Sequence, residues 1–437
     1  MTDSRPSDAV VIGGGLGGLA AATYLARAGR TVTLFERSRA LGGRGMTQSA
    51  SGFRFNIGPH ALYRRAEAAG VLAELGIQYR GGIPKTSGNY AIHHGTKQTL
   101  PTGLVSLLTT GLMRLPAKLE AGRLLAAIPR IDAESLQRTT VSDWLETNVR
   151  QPDVRALVQA LVRLTTYAND PERQSAGSAL RQIQLALSGG VTYLDGGWQT
   201  LVDGLRNAAQ ESGVSIVTGA RVESVEHDGA VRAVRLADGT RHATRAAIIA
   251  GLPSEARSLL ADTPSAPVHA WADAAIPVKA ACLDVGLSRL PQPRATFALG
   301  IDRPLYLSVH SAVAWLAPGD GATIHVAKYL PTDGHDDSKS DERELESVLD
   351  LVQPGWRELI VERRFLPSML VYGALVTAQA GGASGRPGPA VPGIRNLCVV
   401  GDWVGPEGLL LDASLASARR AAELIAQADG PRAVQAA

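Results

Sequence analysis

The sequence is poor in cysteine, methionine and aromatic residues. It contains 2 cysteines and 4 methionines among 437 residues, and aromatic residues make up 5% of the chain. Cys282 and Cys398 lie far apart and outside any Cys-x-x-Cys pattern, which argues against a disulfide framework or a thiolate metal site. We therefore expect two small core thiols in a reducing compartment, and no bound metal.

Long apolar runs and an excess of one charge are also missing. No stretch of the sequence reaches the ~18 consecutive apolar residues of a membrane span, and the polar start of the chain is unlike a signal peptide. The 44 basic and 41 acidic residues give a net charge of +3, without the basic run that is typical of nucleic-acid binding. We expect a cytoplasmic protein that binds no nucleic acid.

Glycine, by contrast, is abundant, and its first cluster predicts a dinucleotide site. A short apolar strand leads into Gly13-x-Gly15-x-x-Gly18, which opens an Ala/Leu-rich helix. The first glycine permits a tight turn, the second lets the backbone approach a pyrophosphate, and the third lets helix and strand pack closely. Phosphates would bind the free N–H groups of the helix N-terminus. A second strand ends at Glu36, about 20 residues further on, where a carboxylate would bind the ribose hydroxyls; an ordinary strand-to-helix turn is the alternative.

Two further glycine motifs extend this site beyond a simple dinucleotide. In Gly42-Gly43-Arg44 the guanidinium can pair with a pyrophosphate, although a solvated arginine is the alternative. Near the end of the chain, an apolar strand terminates in Gly401-Asp402 and a helix follows. The carboxylate would bind a polyhydroxyl chain such as the ribityl of FAD, and the helix N-terminus would stabilise negative charge on a reduced flavin.

Strand–glycine–helix units occur at the start, middle and end of the chain. Because 437 residues are more than a single hydrophobic core usually contains, we predict two domains. We predict a discontinuous, split Rossmann-type α/β domain for FAD from residues 1–80, 191–265 and 385–437. Residues 81–190 and 266–384 would form an inserted α+β substrate domain, with a mixed or antiparallel sheet and helices.

An apolar, weakly charged segment stands out in the inserted part. Residues 100–116 combine leucines with glycine and proline, and Arg114 and Lys118 lie within or beside them. One interpretation is a helical surface region near residues 100–130 that contacts a membrane, with the cations at lipid headgroups. The other is a buried helix of the substrate domain.

The order of these motifs resembles the flavin-containing amine oxidase superfamily, in particular its phytoene (carotenoid) desaturase and protoporphyrinogen oxidase branch. The resembling segments are residues 11–36, 41–44, 55–60, 196–197 and 400–422, and weaker similarity covers nearly the whole chain. The resemblance implies FAD as the cofactor and hydride transfer to it as the reaction.

Motifs and resemblance together give one set of candidate cofactor-binding residues. They are Gly13, Gly15, Leu16, Gly17, Gly18, Glu36, Arg37, Gly43, Arg44, Gly58, Pro59, His60, Val222, Gly401, Asp402, Leu410, Leu411 and Asp412. The resemblance implies that Val222 holds adenine through its backbone. His60 is also the candidate catalytic base, unless it only packs against the flavin ring. Lys97 and Lys328 are amine-oxidase candidates, but surface or paired lysines are the simpler interpretation.

The resulting prediction is a FAD-dependent oxidoreductase that takes hydride from a lipophilic small molecule, as a phytoene desaturase does. A flavin-dependent double-bond isomerase and an amine or porphyrinogen oxidase are the alternatives. A lipid-carrying escort protein is a third, which the glycine motifs, Glu36 and Asp402 disfavour because lipid carriage requires none of them. The electron acceptor, oxygen or a quinone, and the oligomeric state are left open by the residues.

Overall fold

The computed structural model describes residues 6–85, 88–334 and 337–428. The strands in these ranges are β1 (Ser7–Ile12), β2 (Val32–Glu36), β3 (Thr47–Ala50), β4 (Phe53–Asn56), β5 (Leu62–Tyr63), β6 (Gly81–Gly82), β7 (Tyr90–His93), β8 (Thr96–Thr99), β9 (Val191–Leu194), β10 (Ser215–Thr218), β11 (Val222–His227), β12 (Val231–Leu236), β13 (Arg241–Ala250), β14 (Val278–Leu287), β15 (Phe297–Gly300), β16 (Leu305–Val309), β17 (Ala322–Tyr329), β18 (Ile360–Tyr372) and β19 (Leu397–Val400).

The α-helices of the same ranges alternate with strands at the two ends of the chain and cluster in its middle. They are α1 (Leu16–Arg27), α2 (Glu67–Glu74), α3 (Leu104–Thr109), α4 (Leu115–Ala127), α5 (Val141–Asn148), α6 (Pro152–Thr166), α7 (Ala176–Gly189), α8 (Gln199–Glu211), α9 (Pro253–Leu259), α10 (Val268–Ala274), α11 (Ser338–Val352) and α12 (Leu411–Ala428).

The first large sheet has the strand order β10-β2-β1-β13-β12-β11, and β19 pairs with the second half of β13. The strands β10, β2, β1, β13 and β19 are parallel, whereas β11 and β12 continue the sheet antiparallel. Residues Ala9, Val10 and Val11 of β1 are fully buried, as expected for a parallel strand covered on both faces. One apolar core, with α1, α8 and α12, covers one face, and a second core lies on the other.

The second large sheet has the order β18-β14-β17-β16-β15-β7-β8, and its pairs are antiparallel except for β15 and β7. Helix α11 packs an apolar core against one face. The opposite face lies against β4, so closely that a Cβ on Gly286 would come within 2.8 Å of the Phe53 ring. This face therefore adjoins the segment that runs from β4 to His60.

Helices α3 to α7 form a third apolar core with part of β15. Of the segment 100–116, one side is buried, including Leu107, Leu112 and Met113, but Leu104 and Val105 are 73% and 75% exposed. The interpretation of this segment as a buried helix is therefore wrong for its outer side. No helix in the described part of the chain is long and apolar enough to cross a bilayer.

The α/β class, with an antiparallel sheet in the inserted part, is as predicted. The first sheet takes its strands from residues 7–36, 215–250 and 397–400, while the domain boundaries stay a prediction whose outer ends lie outside the described residues. Within residues 81–190, β7 and β8 form a hairpin that joins the second sheet through β15. This hairpin is short and polar, so its sequence lacks strong strand periodicity.

Helix α12 is held against α2 by a buried carboxylate. Asp412, in the first turn of α12, accepts a hydrogen bond of 2.8 Å from the backbone N–H of Ala68. Burial raises the pKa of Asp412 to about 7, and the charge of Glu67 raises it further while the Ala68 hydrogen bond opposes the rise. The folded protein therefore binds a proton at Asp412 more tightly than the unfolded chain does.

Asp412→Asn should make the protein more stable above neutral pH. Because the folded-state pKa lies above the unfolded one, the wild type loses stability as pH rises from about 4 to about 7. The amide oxygen of asparagine keeps the Ala68 bond without this loss. We expect the gain in unfolding free energy to be about 2 kcal/mol larger at pH 8 than at pH 5, measured by denaturant unfolding of the apoprotein.

Asp143→Asn is the matched control, because Asp143 is exposed in the first turn of α5. The Asp143→Asn substitution should change the unfolding free energy by the same amount at pH 5 and pH 8. An Asp412→Asn effect that does not change with pH would contradict the raised pKa.

Candidate functional site

Three glycines of the first cluster are required for packing. At Gly13 the backbone has φ +110°, and a Cβ there would overlap the carbonyl oxygen of Ala250 in β13. A Cβ on Gly18 would overlap the carbonyl oxygen of Gly13, and one on Gly17 would lie 3.0 Å from Val400 of β19. These contacts draw α1 tightly onto β1, β13 and β19.

Gly15 is different, because its missing side chain leaves open space. The nearest atom to a Cβ on Gly15 would be the carbonyl oxygen of Gly42, at 4.0 Å, and a Cβ on Gly43 would be 3.8 Å from the Cα of Gly15. Helix α1 begins at Leu16, and no side chain caps this end. The free N–H groups of an uncapped first turn bind anions, so this end of α1, which Gly15 leaves without a side chain, is suited to a pyrophosphate.

Glu36 and Val222 lie at the same edge of the first sheet. The Glu36 carboxylate accepts hydrogen bonds from the N–H groups of Gly14 (2.7 Å) and Ser38 (2.8 Å). Its backbone carbonyl accepts from the N–H of Ala220, two residues before β11 begins at Val222. The predicted ribose and adenine contacts are thus brought together at the end of β2.

Arg37 lies beside this edge but points elsewhere. It is exposed, and its guanidinium pairs with Glu255 at 2.9 Å. The structure thus gives Arg37 a partner outside the glycine loops.

Arg44 and Asp402 come from opposite ends of the chain and form an ion pair. Arg44 also donates to the carbonyl of Val371 (2.9 Å), and Asp402, which is buried, accepts from the N–H of Gly373 (3.1 Å). Arg44, the predicted pyrophosphate contact, and Asp402, the predicted ribityl contact, are therefore close neighbours. Their roles toward the cofactor stay predictions.

The turn from Gly401 to α12 is fixed by a half-buried arginine that sequence reasoning missed. Arg386 donates to the carbonyls of Asp402 (2.9 Å), Glu407 (3.1 Å) and Gly408 (2.8 Å). Burial lowers its pKa to about 10. A single arginine in a Gly/Pro-rich loop gives no sequence signal for such a role.

The same turn contains two of the predicted flavin contacts. Leu410 has φ +56°, a conformation that is costly for a branched residue, and Leu411 starts α12. Gly401 is held by its N–H bond to the Ser417 hydroxyl (3.2 Å). The side chain of Asp412 points at α2, so a flavin contact from this residue would come from its backbone.

The segment Gly58–His60 lies between the two large sheets. Gly58 has φ +80°, and a Cβ there would overlap the Met369 sulfur; the Pro59 carbonyl accepts from the Tyr167 hydroxyl at 2.7 Å. His60 Nδ1 donates to the Gly58 carbonyl (3.0 Å), and the ring packs edge-on against Trp198 with centroids 4.5 Å apart. Because a carbonyl only accepts, Nδ1 carries the proton in this hydrogen bond, and a second backbone hydrogen bond, to Arg44, also favours the protonated ring.

Burial lowers the pKa of His60 to about 4. The side chain is therefore neutral at pH 7 and can accept a proton, but as a weak base. Its assignment as catalytic base stays a prediction.

The lysines that were amine-oxidase candidates lie in ordinary settings. Lys328 pairs with Asp341 and Glu344, both at 2.7 Å, and Lys97 lies over the Tyr90 ring.

Sequence reasoning also missed a buried polar cluster on the inward face of the second sheet. Cys282, Asp284 and His325 lie within 4.8 Å of one another through potential ligand atoms. The signal was an aspartate and a histidine in otherwise apolar strands. The expectation of no metal stays a prediction.

Gly15→Ala should abolish tight FAD binding while leaving the fold intact. The new methyl group has room in the apoprotein, since Gly15 has φ −74° and the nearest atom to its Cβ would be the Gly42 carbonyl oxygen at 4.0 Å, but it would lie at the predicted pyrophosphate position. We expect FAD affinity to fall at least tenfold, about 1.4 kcal/mol, by flavin fluorescence titration, with unchanged thermal unfolding.

Gly18→Ala is the contrasting variant, because its Cβ overlaps the Gly13 carbonyl. It should lower the unfolding free energy by roughly 1–3 kcal/mol. Normal FAD affinity in Gly15→Ala would mean that the pyrophosphate lies elsewhere.

Comparison with known proteins agrees with this geometry. Residues 16–279, more than half of the chain, match the family described as flavin containing amine oxidoreductase. Over 59 residues the chain is 51% identical to carotenoid 3,4-desaturase of Haloarcula japonica, covering 14% of this chain and 12% of that protein. It is 26% identical over 263 residues to 4,4'-diaponeurosporene oxygenase of Staphylococcus aureus, covering 53% and 52%. The chain thus spans about half, or less, of the length of the curated relatives it matches.

A solved structure shows the same fold. An oxidoreductase from Methanosarcina mazei superposes with a TM-score of 0.74, over 95% of this chain and 99% of that chain, at 18% identity. At this identity the likeness shows the fold alone, and it confirms the predicted α/β class.

The residues present fit FAD, which is confirmed as the cofactor. The first turn of α1 offers free N–H groups to a pyrophosphate, and the glycines at positions 15 and 43 place no side chain beside it. Which residues contact each part of the cofactor stays a prediction. With the match over residues 16–279, the chain belongs to the flavin-containing amine oxidoreductase family.

Proposed function

We propose that the protein is a FAD-dependent oxidoreductase that removes hydride from a carotenoid-like polyene. The assignment as a FAD-dependent oxidoreductase is supported by the uncapped N-terminus of α1 beside the glycines at positions 15 and 43, together with the family match. The substrate class is supported by the names of two relatives, a carotenoid desaturase and a diaponeurosporene oxygenase.

Bound FAD would supply the acceptor for one hydride, which carries both electrons. The chain's own residues bind and orient it: α1 at the pyrophosphate, Glu36 at the ribose, and Asp402 at the ribityl chain. His60, neutral and held by Gly58 and Trp198, offers Nε2 to a proton that leaves the substrate.

Nothing in the described residues favours an amine substrate through Lys328. Its ammonium group already pairs with two carboxylates, which raises its pKa against the effect of burial. The ammonium group stays charged and paired on the face of the second sheet that α11 covers.

We also propose that the outer side of α3 and α4 contacts a lipid surface, from which a polyene would enter. The exposed apolar patch consists of Leu104, Val105, Leu108, Leu115 and Leu119. Basic side chains border it: Arg114 is exposed, and Lys118 donates to the Leu108 carbonyl at 2.7 Å. Apolar residues with flanking cations are typical of interfacial helices on anionic membranes.

The FAD-loaded protein should lose its yellow colour when a carotenoid-like polyene is added without oxygen. The absorbance decrease near the flavin bands measures hydride transfer, and product mass separates two reactions: a loss of two hydrogens indicates desaturation, and unchanged mass indicates isomerisation. Amines and porphyrinogens are the comparison substrates. Bleaching by these alone, or a protein that takes up no FAD, would overturn the proposal.

Replacing Leu104 and Leu108 together by aspartate should weaken binding to vesicles of phosphatidylcholine and phosphatidylglycerol at least tenfold in co-sedimentation. Both side chains are more than half exposed, so the fold should persist while apolar area and favourable charge at the lipid surface are lost. Leu424→Asp, at another exposed leucine, on α12, is the matched control. Equal binding by all three proteins would contradict the lipid contact.

A further inference from the structure

The turn that joins β19 to α12 has an irregular backbone. Between residues 401 and 411, three positions adopt left-handed conformations: Gly405 (φ +78°), Gly408 (φ +60°) and Leu410 (φ +56°). For a residue with a bulky side chain, such as Leu410, this conformation costs free energy and persists only where surrounding contacts enforce it. The shape of the turn therefore depends on groups outside it.

Arg386 supplies three of these outside contacts with one side chain. Its Nη1 donates to the carbonyl of Asp402 at 2.9 Å, and its Nη2 donates to the carbonyls of Glu407 at 3.1 Å and Gly408 at 2.8 Å. The guanidinium thus joins the beginning of the turn to its far side. A planar group with several fixed donors is suited to this task, because it can bind carbonyls that point in different directions at once.

The charge of Arg386 is not matched by a carboxylate of its own. The Asp402 carboxylate pairs with Arg44, and the Glu407 carboxylate pairs with Arg420. The three hydrogen bonds of Arg386 go to neutral carbonyls instead, and its Nε is buried with no hydrogen-bond partner among the described residues.

This arginine stays protonated at neutral pH, although burial lowers its pKa to about 10. Asp402 attracts it through space, but Asp402 also neutralises Arg44, so the three groups leave one positive charge in excess. A cation held by neutral groups away from water favours a negatively charged ligand beside it.

We propose that Arg386 is a positioning residue of the FAD site, which holds the turn between β19 and α12 in the shape that receives the flavin and whose charge stabilises the reduced flavin. This role rests on the FAD-dependent part of the proposed function and on the predicted flavin contacts at Leu410 and Leu411. It does not depend on the substrate.

Two physical effects connect Arg386 to the cofactor. A turn that is already ordered in the apoprotein does not have to be ordered when FAD binds, and preorganisation of this kind increases affinity. Without the guanidinium, three carbonyls lose their donor and Leu410 is free to leave its unfavourable conformation. Reduction also adds negative charge to the flavin, which a nearby cation stabilises where water is scarce.

Two substitutions of Arg386 separate shape from charge. Arg386→Met removes both the donors and the charge, whereas Arg386→Lys keeps the charge but lacks the planar fork. We expect FAD affinity to fall on the order of 100-fold in Arg386→Met and on the order of tenfold in Arg386→Lys, measured by flavin fluorescence titration. At saturating FAD, the midpoint potential of the bound flavin should become more negative in Arg386→Met and keep the wild-type value in Arg386→Lys.

Arg163→Met is the matched control. Arg163, on α6, is also partly buried and also donates to backbone carbonyls, those of Gly300 (3.4 Å) and Ile301 (3.2 Å). Burial lowers its pKa as well, but its partners belong to the second sheet and the loop after it. This variant should keep the FAD affinity and the flavin potential of the wild type.

Hydrogen exchange of the apoprotein tests the positioning role without FAD. The N–H of Gly405 donates to the carbonyl of Pro387, the residue after Arg386, at 2.8 Å. Amides of the turn should exchange faster in Arg386→Met than in the wild type, and at the wild-type rate in Arg163→Met.

Wild-type FAD affinity in Arg386→Met, an unchanged flavin potential, or an equal loss of affinity in Arg163→Met would overturn the role of Arg386. If Arg386→Met does not fold, Arg386→Lys decides, and wild-type affinity in that variant overturns the role. If these differences are seen but no polyene bleaches the wild type, the proposed substrate fails and the role of Arg386 stands. If a polyene bleaches the wild type and the Arg386 variants bind FAD equally well, the role of Arg386 alone fails.

Discussion

The close contact between α1 and the strands beneath it is the constraint on which the cofactor site depends. A side chain on Gly13 or Gly18 would overlap backbone atoms, and one on Gly17 would press on β19. Because α1 lies so near the sheet, its uncapped first turn is fixed beside the loop that contains Gly42 and Gly43.

The buried aspartates are of two kinds. Asp284 and Asp402 each pair with an arginine, whereas Asp412 accepts a hydrogen bond from a backbone N–H of α2 and burial raises its pKa to about 7. For Asp284 the neighbouring positive charges outweigh burial and lower the pKa. Burial therefore has opposite outcomes at Asp284 and Asp412, because only the first has an arginine partner among the described residues.

Whether a feature could be predicted from the sequence depends on how far apart its residues lie along the chain. The glycine turn, Glu36 and the Gly401-Asp402 turn are local patterns, because a few neighbouring residues fix each conformation. The Arg44–Asp402 pair joins positions 358 residues apart, and Asp284 meets His325 across 41 residues. Such pairs depend on strand register, which sequence periodicity does not reveal. Arg386 is a similar case, since its partners are backbone carbonyls that any sequence offers.

The interleaved order of the first sheet has a consequence for how the protein folds. β1 pairs with β13, more than two hundred residues later, and β13 in turn awaits β19. Contacts of this range are slow to form because long loops must close first. During synthesis, the helices α3 to α7 emerge while β1 still lacks β13 on one side. The antiparallel strands β14 to β18 emerge while β13 still lacks β19. The first sheet is therefore completed late, and the edge of β13 that pairs with β19 is exposed to aggregation until then.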